Sequence, residues 1–185
     1  MKTEPNSPNM EQSENPLTDF SNCHVGIIKN FEQLRELART DIQDPVPSEI
    51  QQTADKLYKF FHDVVLTHHD EEEQELFAVV LDCARPGEES HKAEAMVKRL
   101  TAEHRGLEKE WRGIEAAIKK LSKGKLVNLD SAAMIKMAED YLAHADFEER
   151  EFLPLSADIL KGTGLSSLGL AVHMRHAKVS IPGYI

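Results

Sequence analysis

The sequence lacks the features of several common protein classes. Its 185 residues carry a formal net charge of −10, from 22 basic and 32 acidic residues, so no basic excess is present to bind nucleic acid or an anionic membrane surface. No apolar run approaches the roughly 20 residues that span a membrane. The N-terminal residues 1–18 are polar and include three prolines, so we do not expect a secretory signal there.

Cysteine is also scarce. Cys23 and Cys83 are the only two, too few for a disulfide framework. Both fall on apolar faces of predicted helices, so we expect the two cysteines to be small buried hydrophobic residues. The sequence offers no nucleotide-binding loop and no nucleophile triad, so no catalytic residue is assigned. These absences predict a cytoplasmic protein that binds neither nucleic acid nor membranes, and they leave open whether it is a monomer or a homodimer.

Four long segments with helical periodicity lie between the short stretches that hold most prolines and glycines. The predicted helices cover about residues 19–40, 48–83, 90–121 and 131–154. Asp130 is the expected N-cap of the fourth helix, and no segment alternates as a strand does. We therefore predict an all-α fold, an antiparallel up-and-down four-helix bundle with a short C-terminal helix around residues 165–176.

This prediction divides the chain into three parts. Residues 1–17 are expected to be a disordered N-terminal tail because they are polar and rich in proline. Residues 18–155 form the predicted bundle, and residues 156–185 form the short helix and a tail.

One ten-residue pattern occurs twice, at residues 68–77 and 144–153. Both copies read His-x-Asp-x-Glu-Glu-x-Glu followed by two large apolar residues. A His and a Glu four residues apart lie on one face of a helix, one turn from each other. In both copies that face continues the apolar stripe, so the pattern predicts a buried imidazole and a buried carboxylate on each of two helices. The candidate metal ligands are His68, Glu72, His144 and Glu148.

A second pattern relates the first and third helices. Residues 24–31 and 104–111 share His-x-Gly-[Ile/Leu]-x-Lys-x-[Phe/Trp]. The separation between these two copies along the chain is nearly the same as that between the two copies of the first pattern. The chain therefore resembles two αα-hairpins related by a pseudo-two-fold axis, and His24 and His104 join the candidate ligands.

A purely structural core would have to accommodate four histidines and two glutamates together. An unpaired buried carboxylate costs several kcal/mol, and no Lys or Arg is in register to compensate it, whereas a metal ion would. Six or seven ligands exceed the needs of one tetrahedral zinc, and a set of imidazoles and carboxylates without thiolates suits iron or manganese. We therefore predict a dinuclear centre.

Four residues close to the candidate ligands are interpreted separately. Glu108, four residues after His104, is either a further metal ligand or a carboxylate on the helix flank. His69 and Glu73 lie about 100° around the helix from His68 and Glu72, which favours a position outside the ligand set. Tyr141 either packs in the core or reaches a ligand at the centre through its hydroxyl. The remaining histidines break the register and are predicted to lie at the surface or in the tail: His62, His91, His173 and His176.

These residues together resemble the hemerythrin-like, HHE cation-binding family over about residues 20–155. The resemblance implies a non-haem di-iron site in which Glu72 and Glu148 bridge two iron ions and the histidines are terminal ligands, with manganese or zinc as substitutes. Blood-type hemerythrins carry a fifth histidine where this chain has Glu108, and an aspartate five residues after the fourth-helix histidine where it has Glu148 after four.

The expected function is a protein that binds or senses dioxygen, nitric oxide or a related small oxidant at such a centre. The alternative is a di-iron redox enzyme that removes peroxide or nitric oxide, or that repairs iron centres. In either case the expected partner is a small diatomic ligand or oxidant.

Overall fold

The computed structural model describes residues 15–179, with side chains up to residue 172. The described chain consists of five helices and contains no strand. They are α1 (Pro16–Arg39), α2 (48–83), α3 (Glu88–Leu121), α4 (131–159) and α5 (Thr163–Val179). The predicted all-α fold with antiparallel packing is confirmed. Among the described residues, no helix combines the length and apolarity needed to cross a membrane.

Side chains and glycines close the helix ends. Asn15 accepts a hydrogen bond from the backbone N–H of Leu17 at the start of α1. Asp130 accepts one from the N–H of Ala133, so the predicted cap of α4 is confirmed. Gly87, just before α3, has a φ of 112°, a conformation that only glycine adopts without strain. Each cap fixes where a long helix begins, and hence the height of its histidine in the bundle.

Both α2 and α4 contain a π-helical turn that begins at a candidate bridging carboxylate. The turns are Glu72–Leu76 and Glu148–Phe152, at equivalent places in the two copies of the first sequence pattern, and α2 has a further π turn at Phe61–Val65. In each of the first two turns, the N–H five residues after the glutamate donates to the carbonyl of that glutamate. A π turn accommodates one more residue than an α turn, so it rotates the rest of the helix relative to the carboxylate.

The interior contains two apolar clusters with a polar layer between them. One cluster lies around Phe31, Trp111 and Tyr141, and the other lies around Leu100 and Phe152. Along α1 and α3 the second cluster precedes the histidine and the first follows it, whereas α2 and α4 run in the opposite order. The four helices therefore bring their histidines and glutamates to one level, enclosed on both sides by apolar side chains.

The predicted helix bounds need two corrections. Helix α1 begins at Pro16 rather than near residue 19. Helix α4 continues past Pro154 to Ile159, because the change from π to α pairing at this point leaves room for a residue without an N–H. The C-terminal helix is Thr163–Val179. The predicted disorder of the tail falls mainly on residues 1–14, outside the described residues, and the three-part division of the chain stays a prediction.

The prediction that both cysteines are buried is wrong, because Cys23 and Cys83 are exposed. Cys83 follows the π turn of α2. That turn shifts the register, so that Phe77 and Val80 face the core and Cys83 faces outward. Cys23 lies directly before His24 on α1, and since that histidine faces the interior, its neighbour lies about 100° around the helix toward the surface.

Candidate metal centre

Seven histidine and glutamate side chains from four helices meet in the polar layer. Each is at most 3 % exposed. They are His24 from α1, His68, His69 and Glu72 from α2, His104 from α3, and His144 and Glu148 from α4. The structure thus brings together six of the seven side chains that the sequence patterns predicted as ligands, and it adds His69.

The seven side chains form two groups. The first group is His24, His68, Glu72 and Glu148, and the second is His69, His104 and His144. Within each group the potential ligand atoms all lie within 4.8 Å of one another. Two such groups side by side match the dimensions of a site for two metal ions rather than one.

Glu72 is fully buried and lies between the two groups. Its Oε1 is 3.0 Å from Nε2 of His68, and its Oε2 is 3.3 Å from Nε2 of His104. Burial favours the protonated acid, but His68, His104 and His24 outweigh burial and hold the pKa of this carboxyl well below its usual range. Glu72 is therefore an ionised carboxylate with one oxygen directed to each group.

Glu148 occupies the corresponding position on α4. Its Oε2 lies 3.0 Å from Nε2 of His24 and 3.4 Å from Nε2 of His144, so this carboxylate also reaches both groups. Burial lowers the pKa of His24, but the carboxylates of Glu148 and Glu72 outweigh it and raise the pKa to about 11. A proton on this imidazole compensates the buried carboxylates in the way that a metal ion would, and the two compete for the same nitrogen.

The atoms that face the middle of the site form no hydrogen bond with any described residue. They are Nε2 of His24, His68, His104 and His144, and both oxygens of Glu72 and Glu148. The two ring nitrogens of His69 are also buried without a hydrogen-bond partner among the described residues. Each unpaired buried polar group costs about 1–3 kcal/mol, so a set of this size needs a common partner. The atoms converge on shared points, with imidazole nitrogens 3.0–3.6 Å from carboxylate oxygens, and they therefore indicate a dinuclear metal site.

His69 is the buried histidine that was not predicted as a ligand. It is 1 % exposed, and its ring stacks on that of His104 with centroids 4.0 Å apart. Burial and the positive charge of His104 lower the pKa of His69 to about 2. A neutral imidazole has a lone pair available for a metal. The adjacent pair His68-His69, each with a Glu four residues on, was the sequence feature that could have revealed it.

Glu108, the asymmetric candidate among the predicted ligands, belongs to neither group of described residues. Its side chain is 19 % exposed and lies 2.6 Å from Arg105. One carboxylate oxygen lies 3.6 Å from Nδ1 of His69, so Glu108 flanks the site at the level of that imidazole. Its charge is compensated by the guanidinium, which favours the helix-flank interpretation.

Tyr141 packs in the core above the second group. Its ring stacks on Phe31 with centroids 4.1 Å apart, and it lies 5.6 Å from the ring of His144. The hydroxyl is buried and has no hydrogen-bond partner among the described residues. Burial, together with the negative charges of Glu72 and Glu148, raises the pKa of Tyr141 well above its usual value, so this hydroxyl keeps its proton.

The other predicted histidines lie outside the two groups. His91 is exposed, and His62 is partly exposed and contacts Glu115 at 3.2 Å. The side chains of His173 and His176 lie outside the described residues.

A comparison with protein-family models matches the hemerythrin HHE cation binding domain over residues 15–156. This chain belongs to the hemerythrin HHE cation-binding family. The matched span contains every residue of both groups, and the resemblance identified from the sequence is confirmed. No curated protein matched the chain.

A set of glutamates holds the outer ring nitrogens of this HHE domain. Nδ1 of His24 lies 2.7 Å from Oε1 of Glu149, and Nδ1 of His104 lies 2.8 Å from Oε1 of Glu73. A carboxylate can only accept a hydrogen bond, so in both pairs Nδ1 donates and Nε2 is the nitrogen that faces the centre. Glu73 is therefore an outer partner, as one interpretation of the sequence had it.

The pseudo-two-fold axis relates these two pairs. Each hairpin supplies the glutamate that follows its candidate bridging carboxylate, and that glutamate holds the first-helix histidine of the other hairpin. The doubled Glu-Glu of the first sequence pattern was the sign of this role. Ser21 adds a hydrogen bond from its hydroxyl to Oε2 of Glu149 at 2.9 Å, which fixes the orientation of that carboxylate.

We predict that Glu149→Ala lowers metal affinity by about 10- to 100-fold, because His24 loses the acceptor that orients its ring. Competition with a chelator measures the affinity. Glu151→Ala is the matched control, since Glu151 is an exposed carboxylate in the same π turn and should leave affinity unchanged. Equal affinities for the two variants would contradict the orienting role of Glu149.

Proposed function

We propose that this chain is a non-haem di-iron protein that binds or senses dioxygen, nitric oxide or a related small oxidant. The proposed ligands of the iron pair are both groups of the site, with His69 in place of Glu108 and with Glu72 and Glu148 as bridges. The observation that carries the proposal is the convergence of unpaired imidazole nitrogens and carboxylate oxygens in a buried layer.

The chemistry of the donors favours iron. Five imidazoles and two carboxylates without a thiolate suit iron or manganese, and zinc would leave part of the set unused. Two buried carboxylates offset only part of the charge of two divalent ions, so the centre keeps a positive charge that favours an anionic or polarisable ligand. A di-iron pair supplies one- or two-electron chemistry and an exchangeable coordination position when it is bound.

The two proposed iron positions are unequal. The position at His24 and His68 has two imidazoles and the two carboxylates, whereas the position at His69, His104 and His144 has three imidazoles and is reached by the same carboxylates at His104 and His144. Because the first position has one imidazole fewer, it has more room for an exogenous ligand. We therefore place the binding of a small ligand at His24 and His68.

The surroundings of the centre suit a small ligand that must be kept from water. The apolar clusters on both sides of the polar layer leave little space for solvent, and buried apolar surroundings strengthen hydrogen bonds made within them. The hydroxyl of Tyr141 is buried, and no described residue accepts a hydrogen bond from it. We propose that it donates to the outer atom of a ligand that is bound at His24 and His68 and extends toward the second group.

The carboxylate bridges are tested by metal content. Glu72→Ala and Glu148→Ala are each expected to remove both iron ions from the protein, because each carboxylate serves both positions. Metal analysis of protein loaded with ferrous iron without oxygen measures this, and Glu151→Ala is the control. A full metal complement in either bridge variant would refute the bridging role.

The choice between His69 and Glu108 is tested by a pair of variants. His69→Ala is expected to weaken one of the two metal positions by about 10-fold or more, because the second group loses an imidazole. Glu108→Ala is expected to keep both ions. Titration of the two proteins with ferrous iron measures the stoichiometry. The opposite result would restore Glu108 as the ligand.

The function itself is tested by adding gas to the reduced, iron-loaded protein in a stopped-flow spectrometer. A spectral change with dioxygen or nitric oxide that reverses when the gas is removed supports binding or sensing. Tyr141→Phe should speed ligand release by about fivefold, the equivalent of one hydrogen bond near 1 kcal/mol. Continuous consumption of peroxide or nitric oxide would instead support the alternative, a di-iron redox enzyme. A protein that holds only zinc and shows no spectral response would reject both.

A further inference from the structure

The pseudo-two-fold axis pairs the second-helix histidines as well, His68 with His144. Nδ1 of His144 lies 3.0 Å from Oε2 of Glu103, the residue directly before His104 on α3. Glu103 is in turn held by Arg99, whose Nε donates to it at 2.7 Å. This half of the site therefore has the usual carboxylate behind a ligand imidazole.

The other half has a thiol at the corresponding place. Cys23 lies directly before His24 on α1, just as Glu103 lies directly before His104 on α3. The two residues are therefore equivalent under the pseudo-two-fold repeat. The exchange changes the chemistry of the acceptor from a charged oxygen to a neutral, weakly accepting sulfur.

The imidazole of His68 shows the consequence of that exchange. The residue is 3 % exposed, and Nδ1 is buried with no well-aligned hydrogen bond to any described residue. Its Nε2 faces Glu72 at 3.0 Å, so Nε2 points to the centre and Nδ1 points away from it. The ring of His68 stands edge-on to that of His24 with centroids 4.8 Å apart, as the ring of His144 does to that of His104 at 4.9 Å. Cys23 therefore lies beside His68 in the way that Glu103 lies beside His144.

We infer that Cys23 is the positioning residue for His68, and that its exposed thiol is a modification site linked to the metal position of His24 and His68. The sulfur accepts the hydrogen of Nδ1 in the place that Glu103 takes for His144. The cysteine side chain has a single side-chain torsion that moves the sulfur, so it can align with the ring nitrogen at little cost.

Cys23 connects the protein surface to the metal centre by its position. The residue is exposed, whereas the imidazole of His68 is buried. An electrophile that attaches to the sulfur turns the thiol into a bulkier thioether, which displaces the acceptor of His68 without entering the site. None of the carboxylates behind His24, His104 and His144 can be modified by an electrophile in this way, because a carboxylate is a poor nucleophile. This inference rests on the proposed function, since it takes His68 as a metal ligand.

The experiment uses Cys83→Ala protein loaded with ferrous iron, so that Cys23 is the single remaining thiol. Iodoacetamide alkylates it: the sulfur displaces iodide, a carbon–sulfur bond forms, and the thiol proton goes to solvent. Mass spectrometry gives the extent of reaction, and transfer of iron to a coloured chelator gives the release rate. We expect alkylation to speed the release of one of the two ions by about 10-fold. The same treatment of the double variant Cys23→Ala, Cys83→Ala should change nothing.

Two further variants separate positioning from bulk. Cys23→Ala without any reagent should weaken the same ion by about 10-fold, because Nδ1 of His68 loses its acceptor. Cys23→Glu reproduces the arrangement at Glu103 and should bind both ions at least as tightly as the unaltered protein. Cys83→Ala should match the unaltered protein.

The possible outcomes distinguish this inference from the proposed function. Two ions held with equal affinity by Cys23→Ala, Cys23→Glu and alkylated protein would overturn the role of Cys23 and leave the di-iron proposal intact. An unaltered protein that takes up no iron would overturn the proposed function, and this inference would fall with it.

Discussion

The structure depends on one constraint: two carboxylates and five imidazoles are buried at one level of a helical bundle. Glu72 and Glu148 are fully buried, and an ionised carboxylate in that position costs several kcal/mol, comparable to the whole stability of a domain, unless positive charge compensates it. Protonated imidazoles such as His24 supply this charge, or the cluster holds metal ions that supply it. The apolar clusters on both sides make the compensation obligatory, because they keep water from sharing it.

The helices meet this constraint through their backbone as much as through their side chains. In a regular α-helix, the residues four and eight positions after His68 lie progressively further from the face that carries this histidine. The π turns that start at Glu72 and Glu148 add a residue just after each carboxylate, and the apolar stripe then resumes at Leu76 and Phe152, both fully buried. The extra residue lets a helix present a polar ligand face and an apolar packing face in succession without a break.

Much of this arrangement could be predicted from the sequence, because a ligand set repeated in two hairpins leaves two periodic patterns. Those patterns located His24 and His104 from their spacing alone. They did not predict that His69 would also be buried, because only one of two adjacent histidines was expected to face a narrow interior. The site is wide enough to receive both, one in each group. Cys83 was misplaced for a related reason: a π turn leaves no mark in a sequence that is read with a constant helical period. The outer glutamates needed tertiary contacts between hairpins.

The departures from two-fold symmetry are where the two halves of the site acquire different properties. His69 has no counterpart, since the equivalent residue on α4 is the buried Ala145, and it gives one half a third imidazole. Cys23 stands at the position equivalent to Glu103 and, in the role that we infer for it, gives the other half a weaker acceptor behind its histidine. Both differences have the same effect. The half with His24 and His68 has fewer imidazoles, and its histidine is oriented less tightly. A centre that must exchange a small ligand needs one position of that kind and one that stays fully coordinated, so the asymmetry is the part of the sequence that favours ligand exchange over storage of metal.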